Sequence, residues 1–171
     1  QNSFQDNVSV RFFPEGGQLV QNLKSRVAFQ ATGKDGKGID ISGYIRNEEG
    51  DTVSQFSTLK FGIGSFSFTP LPGVRYEAVV SYLGKHSRHP IPVVHANGYV
   101  LNVNALNNAK LHVVISRAGI EATDTMVLFI HTRNRIKLVQ ATTLKDGVGG
   151  FLIDRNKLDE GISHFTVFNG K

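Results

Sequence analysis

Apolar and polar residues alternate with a period of two along most of the chain. Val8, Val10 and Phe12 alternate with other side chains, as do Val27, Phe29 and Ala31, then Ile39, Ile41 and Gly43. Ser65-Phe66-Ser67-Phe68-Thr69 repeats the pattern, and Leu111, Val113 and Ile115 do so again. Successive side chains of a strand point to opposite faces, so this alternation predicts strands with one face in a core. No segment of roughly eleven residues or more has the apolar spacing i, i+3, i+4, i+7 of an amphipathic helix. The one helix-like stretch, Asp154-Arg155-Asn156-Lys157-Leu158, amounts to a single turn with Asp154 as its candidate N-cap. Turn signals recur at short intervals: Pro14-Glu15-Gly16-Gly17, Lys34-Asp35-Gly36, Glu48-Glu49-Gly50-Asp51, Pro72-Gly73, Leu83-Gly84-Lys85, Asp146-Gly147 and Asn169-Gly170. Many short strands with frequent turns predict an all-β sandwich or barrel.

An internal repeat divides the chain. Gly62-Ile63-Gly64-Ser65-Phe66-Ser67-Phe68 recurs as Gly147-Val148-Gly149-Gly150-Phe151-Leu152-Ile153. Leu71-Pro72-Gly73-Val74-Arg75-Tyr76-Glu77-Ala78-Val79 is echoed by Leu158-Asp159-Glu160-Gly161-Ile162-Ser163-His164-Phe165-Thr166-Val167. The period of about 86 residues is too long for a solenoid unit and suits two tandem sandwiches. The expected domains are residues 1–93 and 94–171, with a boundary at His89-Pro90-Ile91-Pro92-Val93, whose prolines suit an edge strand entering a stiff linker. After Gly84-Lys85 the first copy has residues for one more short strand, whereas the second copy reaches Gly170-Lys171 and stops. The expectation is a piece of a longer protein, its second sandwich lacking the last strand. The open edge would pair with another molecule, a second copy of the chain included.

Composition narrows the chemistry. Among 171 residues 40% are hydrophobic and 19% charged, which excludes a disordered charged tail. The absence of cysteine removes disulfides, thiol nucleophiles and Cys-ligated metals. The net charge of +5 is spread along the chain without a polybasic run. No apolar stretch approaches the ~20 residues that span a bilayer, so no membrane insertion by this segment is expected.

Candidate reactive residues each have a plain structural alternative. The glycines of Gly62-x-Gly64-x-Phe66 lack the third glycine and the helix of a dinucleotide fingerprint, and suit a turn or bulge entering a strand. His86, His89 and His95 gather near the expected linker, but the spacing of 86 and 89 puts those two on opposite faces of a strand. His112, His131 and His164 read as solvent-face strand residues. Carboxylate pairs for glycosidase chemistry would have to come from Asp40, Glu48, Glu49, Asp51, Glu77, Asp124, Asp154, Asp159 or Glu160, nearly all in turns. Glu15 follows Phe12-Phe13-Pro14 and precedes Gly16-Gly17, where a carboxylate can bond backbone N–H groups of a tight turn. A calcium loop is contradicted by Lys37 inside Asp35-Gly36-Lys37-Gly38-Ile39-Asp40. Arg133-Asn134-Arg135-Ile136-Lys137 and Lys85-His86-Ser87-Arg88-His89, both read as turns, lack the interleaved aromatics of a nucleic-acid surface. Sugar binding would rest on Tyr44, Tyr76, Tyr82 and Tyr99, since there is no tryptophan. No catalytic, cofactor-binding or metal-binding residue is assigned, no cofactor is expected, and no nucleic-acid partner is expected.

The stretch Val10-Arg11-Phe12-Phe13-Pro14-Glu15-Gly16-Gly17-Gln18-Leu19-Val20 resembles the macroglobulin-type β-sandwich domains of the alpha-2-macroglobulin family. So do Val27-Ala28-Phe29-Gln30-Ala31, Gly36 to Ile45, Gly62 to Pro70 and Tyr76-Glu77-Ala78. The nearest look is to versions in large exported proteins of Gram-negative bacteria, some carrying a TonB-dependent receptor plug-like region. The match covers residues 8–93 and extends less densely over 97–168, through Gly98 to Val103 and Gly161 to Phe168. The resemblance implies tandem seven-stranded, immunoglobulin-like sandwiches, export to the periplasm or outer-membrane surface, and a scaffolding or recognition role without catalysis. The family's thioester sequence Cys-Gly-Glu-Gln is absent, so its protease-trapping chemistry is not implied. The expected function is a non-enzymatic scaffold or interaction segment that binds protein partners or flanking domains. The alternatives are a surface glycan-binding module and, third, a catalytic fragment built on the linker histidines.

Overall fold

Val27, Phe29 and Ala31 fall on one face of strand β3 (Ser25–Gly33), and that face is buried while Arg26 and Ala28 point outward. The same alternation recurs through an all-β chain, in a computed structural model that describes residues 8–119 and 125–170. Asp124 and Lys171 lie outside the described residues. The chain divides into two compact units, residues 1–96 and 97–171, each with its own core.

The first unit contains β1 (Val8–Pro14), β2 (Leu19–Val20), β3, β4 (Ser42–Asn47), β5 (Thr52–Lys60) and β6 (Ile63–Phe68). It continues with β7 (Tyr76–Tyr82), β8 (Lys85–Pro90) and β9 (Val94–His95). The hydrogen-bonded order is β1-β3-β6-β5-β4-β7-β8. β5 is the corner. Its first half pairs with β4, its end pairs with β6 at Thr58 and Lys60, and a register shift lies between those two residues. A strand that changes partner across a bulge folds one ladder into two facing layers. Val27, Phe29, Phe66 and Phe68 from one layer meet Ile45, Ala78 and Val80 from the other. Phe12, Phe29, Phe56 and Phe66 cluster with ring centroids 4.9–6.5 Å apart, in tilted, edge-on and stacked arrangements. β2 and β9 form a short parallel pair, Leu19 opposite Val94, so Val94–His95 is tied into this unit.

Two glycines make room for that aromatic cluster. A Cβ at Gly64 would lie 2.5 Å from Cζ of Phe29 and 2.5 Å from the carbonyl oxygen of Ser57. One at Gly43 would lie 2.6 Å from Cζ of Phe56 and 2.5 Å from the carbonyl oxygen of Val79. Each glycine is a place where a ring closely approaches the backbone of a neighbouring strand.

The second unit contains β10 (Gly98–Ala105), β11 (Lys110–Ala118), β12 (Thr125–Thr132), β13 (Arg135–Thr143), β14 (Val148–Asp154) and β15 (Ser163–Asn169). Its two three-stranded antiparallel sheets have the orders β10-β11-β14 and β13-β12-β15. Val113, Ile115, Phe151 and Ile153 of the first sheet pack with Met126, Leu128 and Ile130 of the second.

Three local expectations are corrected. Ile39 to Ile41 is not a strand: Gly38 lies against the backbone of Phe61 and Gly62, and the Ile39 N–H donates to the Ala31 carbonyl at 3.1 Å. The segment is a loop, and β4 starts only at Ser42. Lys85 to His89, also read as a turn, is instead most of edge strand β8, the short strand expected after Gly84-Lys85, paired with β7 from Lys85 opposite Tyr82 to Pro90 opposite Glu77. Asp154 precedes a 3-10 turn, Arg155–Lys157, yet its side chain caps nothing; the Arg155 N–H donates instead to the Ala109 carbonyl at 2.8 Å.

Candidate functional site

The candidate reactive side chains are dispersed, and Asp40, Glu48, Asp51, Glu77 and Asp159 are locally partnered. Glu77 sits opposite Arg46 across β7 and β4, and its Oε1 accepts from Arg46 Nε at 2.7 Å. Glu48 accepts from Arg75 at 2.9 Å, Asp51 from the Asn47 side chain at 3.2 Å, and Asp40 from the Thr58 hydroxyl at 3.1 Å. Asp159 pairs with Lys137, and that hydrogen bond holds its carboxyl below the usual carboxylate range. Glu15 lies 3.9 Å from the Arg26 guanidinium, and its own N–H donates to the Arg26 carbonyl. This fastens the turn after β1 to the start of β3. Surface pairs of this kind position side chains and contribute little stability.

The histidines separate as well. His86 is exposed on β8, whereas His89 turns to the other face, half-buried, with Nε2 2.8 Å from the Ser87 hydroxyl. Burial lowers the pKa of His89 because it disfavours the charged ring. His95 is exposed on β9. Among the described residues no three His, Asp or Glu side chains gather as a metal cluster. His131 and His164, opposite each other on β12 and β15, stack with centroids 4.8 Å apart. Their alternation along each strand shows in the sequence; their meeting depends on a register set by the whole sheet.

All four tyrosines are half-buried. Tyr76 and Tyr82 pack on the first core and Tyr99 on the second, while the Tyr76 hydroxyl accepts the Leu71 N–H at 2.9 Å. Tyr44 is not packed on either core and lines an open groove of about 710 Å³ with Ser42, Gln55, Ser57, Ser81 and His86, while Tyr82 also lines a second groove.

One end of the first unit has a different character. The loop from Gly33 to Ile41, the β5–β6 turn and the β7–β8 turn meet there. The Ala31 N–H donates to the Gly62 carbonyl at 2.7 Å, and Leu83 and Lys85 line a second open groove, about 640 Å³, with Lys34, Lys37 and Ile39. Both hairpin turns have two residues of positive φ: Phe61 at 55° and Gly62 at 74°, Leu83 at 50° and Gly84 at 73°. Such turns favour Asn, Asp or Gly at the first position, because a larger L-residue is disfavoured in the left-handed region. Here that position holds Phe and Leu, 73% and 81% exposed. Lys60 Nζ lies 4.8 Å from the Phe61 ring centroid. Two apolar tips in a disfavoured backbone conformation, among Lys34, Lys37, Lys60 and Lys85 and with Asp35 paired to Lys37 at 3.7 Å, were not signalled by the alternation, which assigns apolar residues to the core.

No protein-family model matches the chain, and no characterised protein matches it in sequence. Among solved structures, it is similar to the native conformation of the Escherichia coli alpha-2-macroglobulin, with 12% identity over 86% of this chain and 12% of that one, at a TM-score of 0.35. It is similar to the BSP domain of a biofilm associated protein, with 15% identity over 86% and 24% of the two chains, at 0.38. It is similar to domains 4–9 of the surface layer protein SbsC, with 12% identity over 95% and 29%, at 0.44. The chain therefore spans less than a third of each of these structures. No residue role is carried across from any of them.

Proposed function

We propose that this chain is a non-enzymatic interaction segment of a larger exported protein of a Gram-negative cell envelope, related to alpha-2-macroglobulin. The reading rests on the sequence resemblance over residues 8–93 and on one structural observation, the end of the first unit that presents Phe61 and Leu83. Backbone strain kept at two exposed turns, with bulky apolar side chains that serve no core, is a mark of function rather than of folding. Apolar tips beside Lys34, Lys60 and Lys85, with Lys37 already paired to Asp35, suit a protein partner whose surface has an apolar patch with an acidic rim. The sandwich holds the turns rigidly, so little order has to be gained on binding.

Co-sedimentation with envelope fractions tests the reading. The native chain is expected to sediment with them, and the double variant Phe61→Asn, Leu83→Asn to stay in the supernatant. Equal sedimentation of both would overturn it. A second reading, glycan binding, is favoured by the groove of Tyr44 with its Ser, Gln and His side chains. Glycan-array binding that Tyr44→Ala abolishes would establish that reading instead.

A further inference from the structure

The groove of Tyr44 lies on the outer face of the first unit, in the layer β5-β4-β7-β8. Ile45 is fully buried, so its neighbour Tyr44, and Ser42 with it, face away from the core. Residues directly opposite each other in a sheet share a face. The register therefore aligns Ser57, Ser42, Ser81 and His86 in one outward rank across β5, β4, β7 and β8. Gln55, Tyr44, Val79 and Arg88 form the rank beside it. With strands about 4.8 Å apart, each rank is about 14 Å long. Ser65 of β6 and Leu59 near the end of β5 also line the groove.

The lining is uncharged and its polar groups are unengaged. No carboxylate, lysine or arginine belongs to it. Among the described residues, the side chains of Ser42, Gln55, Ser57, Ser65, Ser81 and His86 have no hydrogen-bond partner. The charged neighbours are matched to one another instead: Glu77 accepts from Arg46 at 2.7 Å and lies 4.0 Å from Arg88.

Such a lining discriminates between ligands. A nucleic acid or other polyanion requires lysine or arginine, and the groove offers neither. An apolar peptide would cover the hydroxyls without replacing their water. An added strand requires open main-chain groups, but β4 and β7 are each paired on both sides. A chain of uncharged sugars meets every term. Each of its hydroxyls donates and accepts, as serine does, and the apolar face of a sugar ring can lie on an aromatic ring.

We propose that this groove binds an uncharged oligosaccharide lying across the strands, with a sugar ring on Tyr44 and hydroxyls on the rank from Ser57 to His86. The inference rests on the glycan reading and adds to it a ligand class, an orientation and a set of contacts. Phe61 and Leu83 do not line the groove, so the site stands or falls apart from that end.

NMR of the intact, isotope-labelled chain tests this, with cellohexaose, maltohexaose and chitohexaose as neutral probes and hexagalacturonate as the charged comparator. At least one neutral probe is expected to shift backbone signals saturably at both ends of the rank, Ser57 and His86. Hexagalacturonate is expected to leave the groove unshifted. Tyr44→Ala is expected to weaken the neutral binding by about tenfold or more. The double variant Ser42→Val, Ser57→Val, whose new residues suit strands, is expected to weaken it by about tenfold as well, with the signals of the second unit unchanged. Binding of hexagalacturonate in the groove as tight as that of the neutral probes would overturn the proposal and leave the glycan reading standing. So would neutral binding at Tyr44 that the serine variant does not weaken. No shift in the groove from any of these saccharides would overturn both.

Discussion

Phe61 and Leu83 show what single residues contribute beyond the fold. Each occupies the first place of a two-residue hairpin turn with φ near 50° to 55°, where Asn is the better local choice. Placing an L-residue in that region costs roughly 1–2 kcal/mol, and Asn, able to bond locally, carries less of the penalty. Replacing Phe61 or Leu83 by Asn is therefore expected to stabilise the chain by about 0.5–1 kcal/mol each. Calorimetry should show this as a midpoint rise of several degrees for a unit of this size. A fall of similar size would mean that the side chains serve the fold and not a contact. Leu83-Gly84 was legible as a turn, and Gly62 as a residue suited to positive φ. The exposure of the apolar residue before each glycine was not, because alternation counts hydrophobic residues without regard to which lie on a turn.

Strands were the most legible elements, since period-two alternation is a direct record of a half-buried sheet. The failures came where long-range contacts override local pattern. Ile39 and Ile41 alternate like a strand, but the close approach of Gly38 to Phe61 and Gly62 bends that segment into a loop. Lys85 to His89 supports two local readings, a solvated tip and a last short strand, and its pairing with β7 makes it the strand. Packing between elements can be tested at Gly64, where β6 passes beneath the ring of Phe29 from β3. Gly64→Ala brings a methyl group within 2.5 Å of that ring and of the Ser57 carbonyl. Overpacking of this kind is expected to cost about 1–3 kcal/mol. Chemical denaturation should show the loss as a lower midpoint with an unchanged slope. A midpoint within error of the native chain would mean that the aromatic cluster is looser than its geometry states. The stacked pair His131 and His164 belongs to the same scale, for it exists only through the register of β12 against β15.

At the scale of the whole molecule, two units have separate apolar cores, and Arg46 with Glu77, Arg75 with Glu48 and Lys137 with Asp159 pair locally outside them. The segments that break the rules of a quiet surface are the turns of Phe61 and Leu83, which hold exposed apolar side chains in the left-handed region. The two-unit organisation left a trace in the repeat of Gly62 to Phe68 and Gly147 to Ile153. These segments become β6 and β14, each beside the second long strand of its unit. The most direct measurement is site-specific photo-crosslinking in the intact envelope, with the reactive group at Phe61 or Leu83 and, as a control, at exposed Val53 or Leu152. The account predicts one discrete adduct, the same protein partner from both turn positions and absent from the controls. Adducts of equal yield at all four positions, or none at the turns, would contradict it.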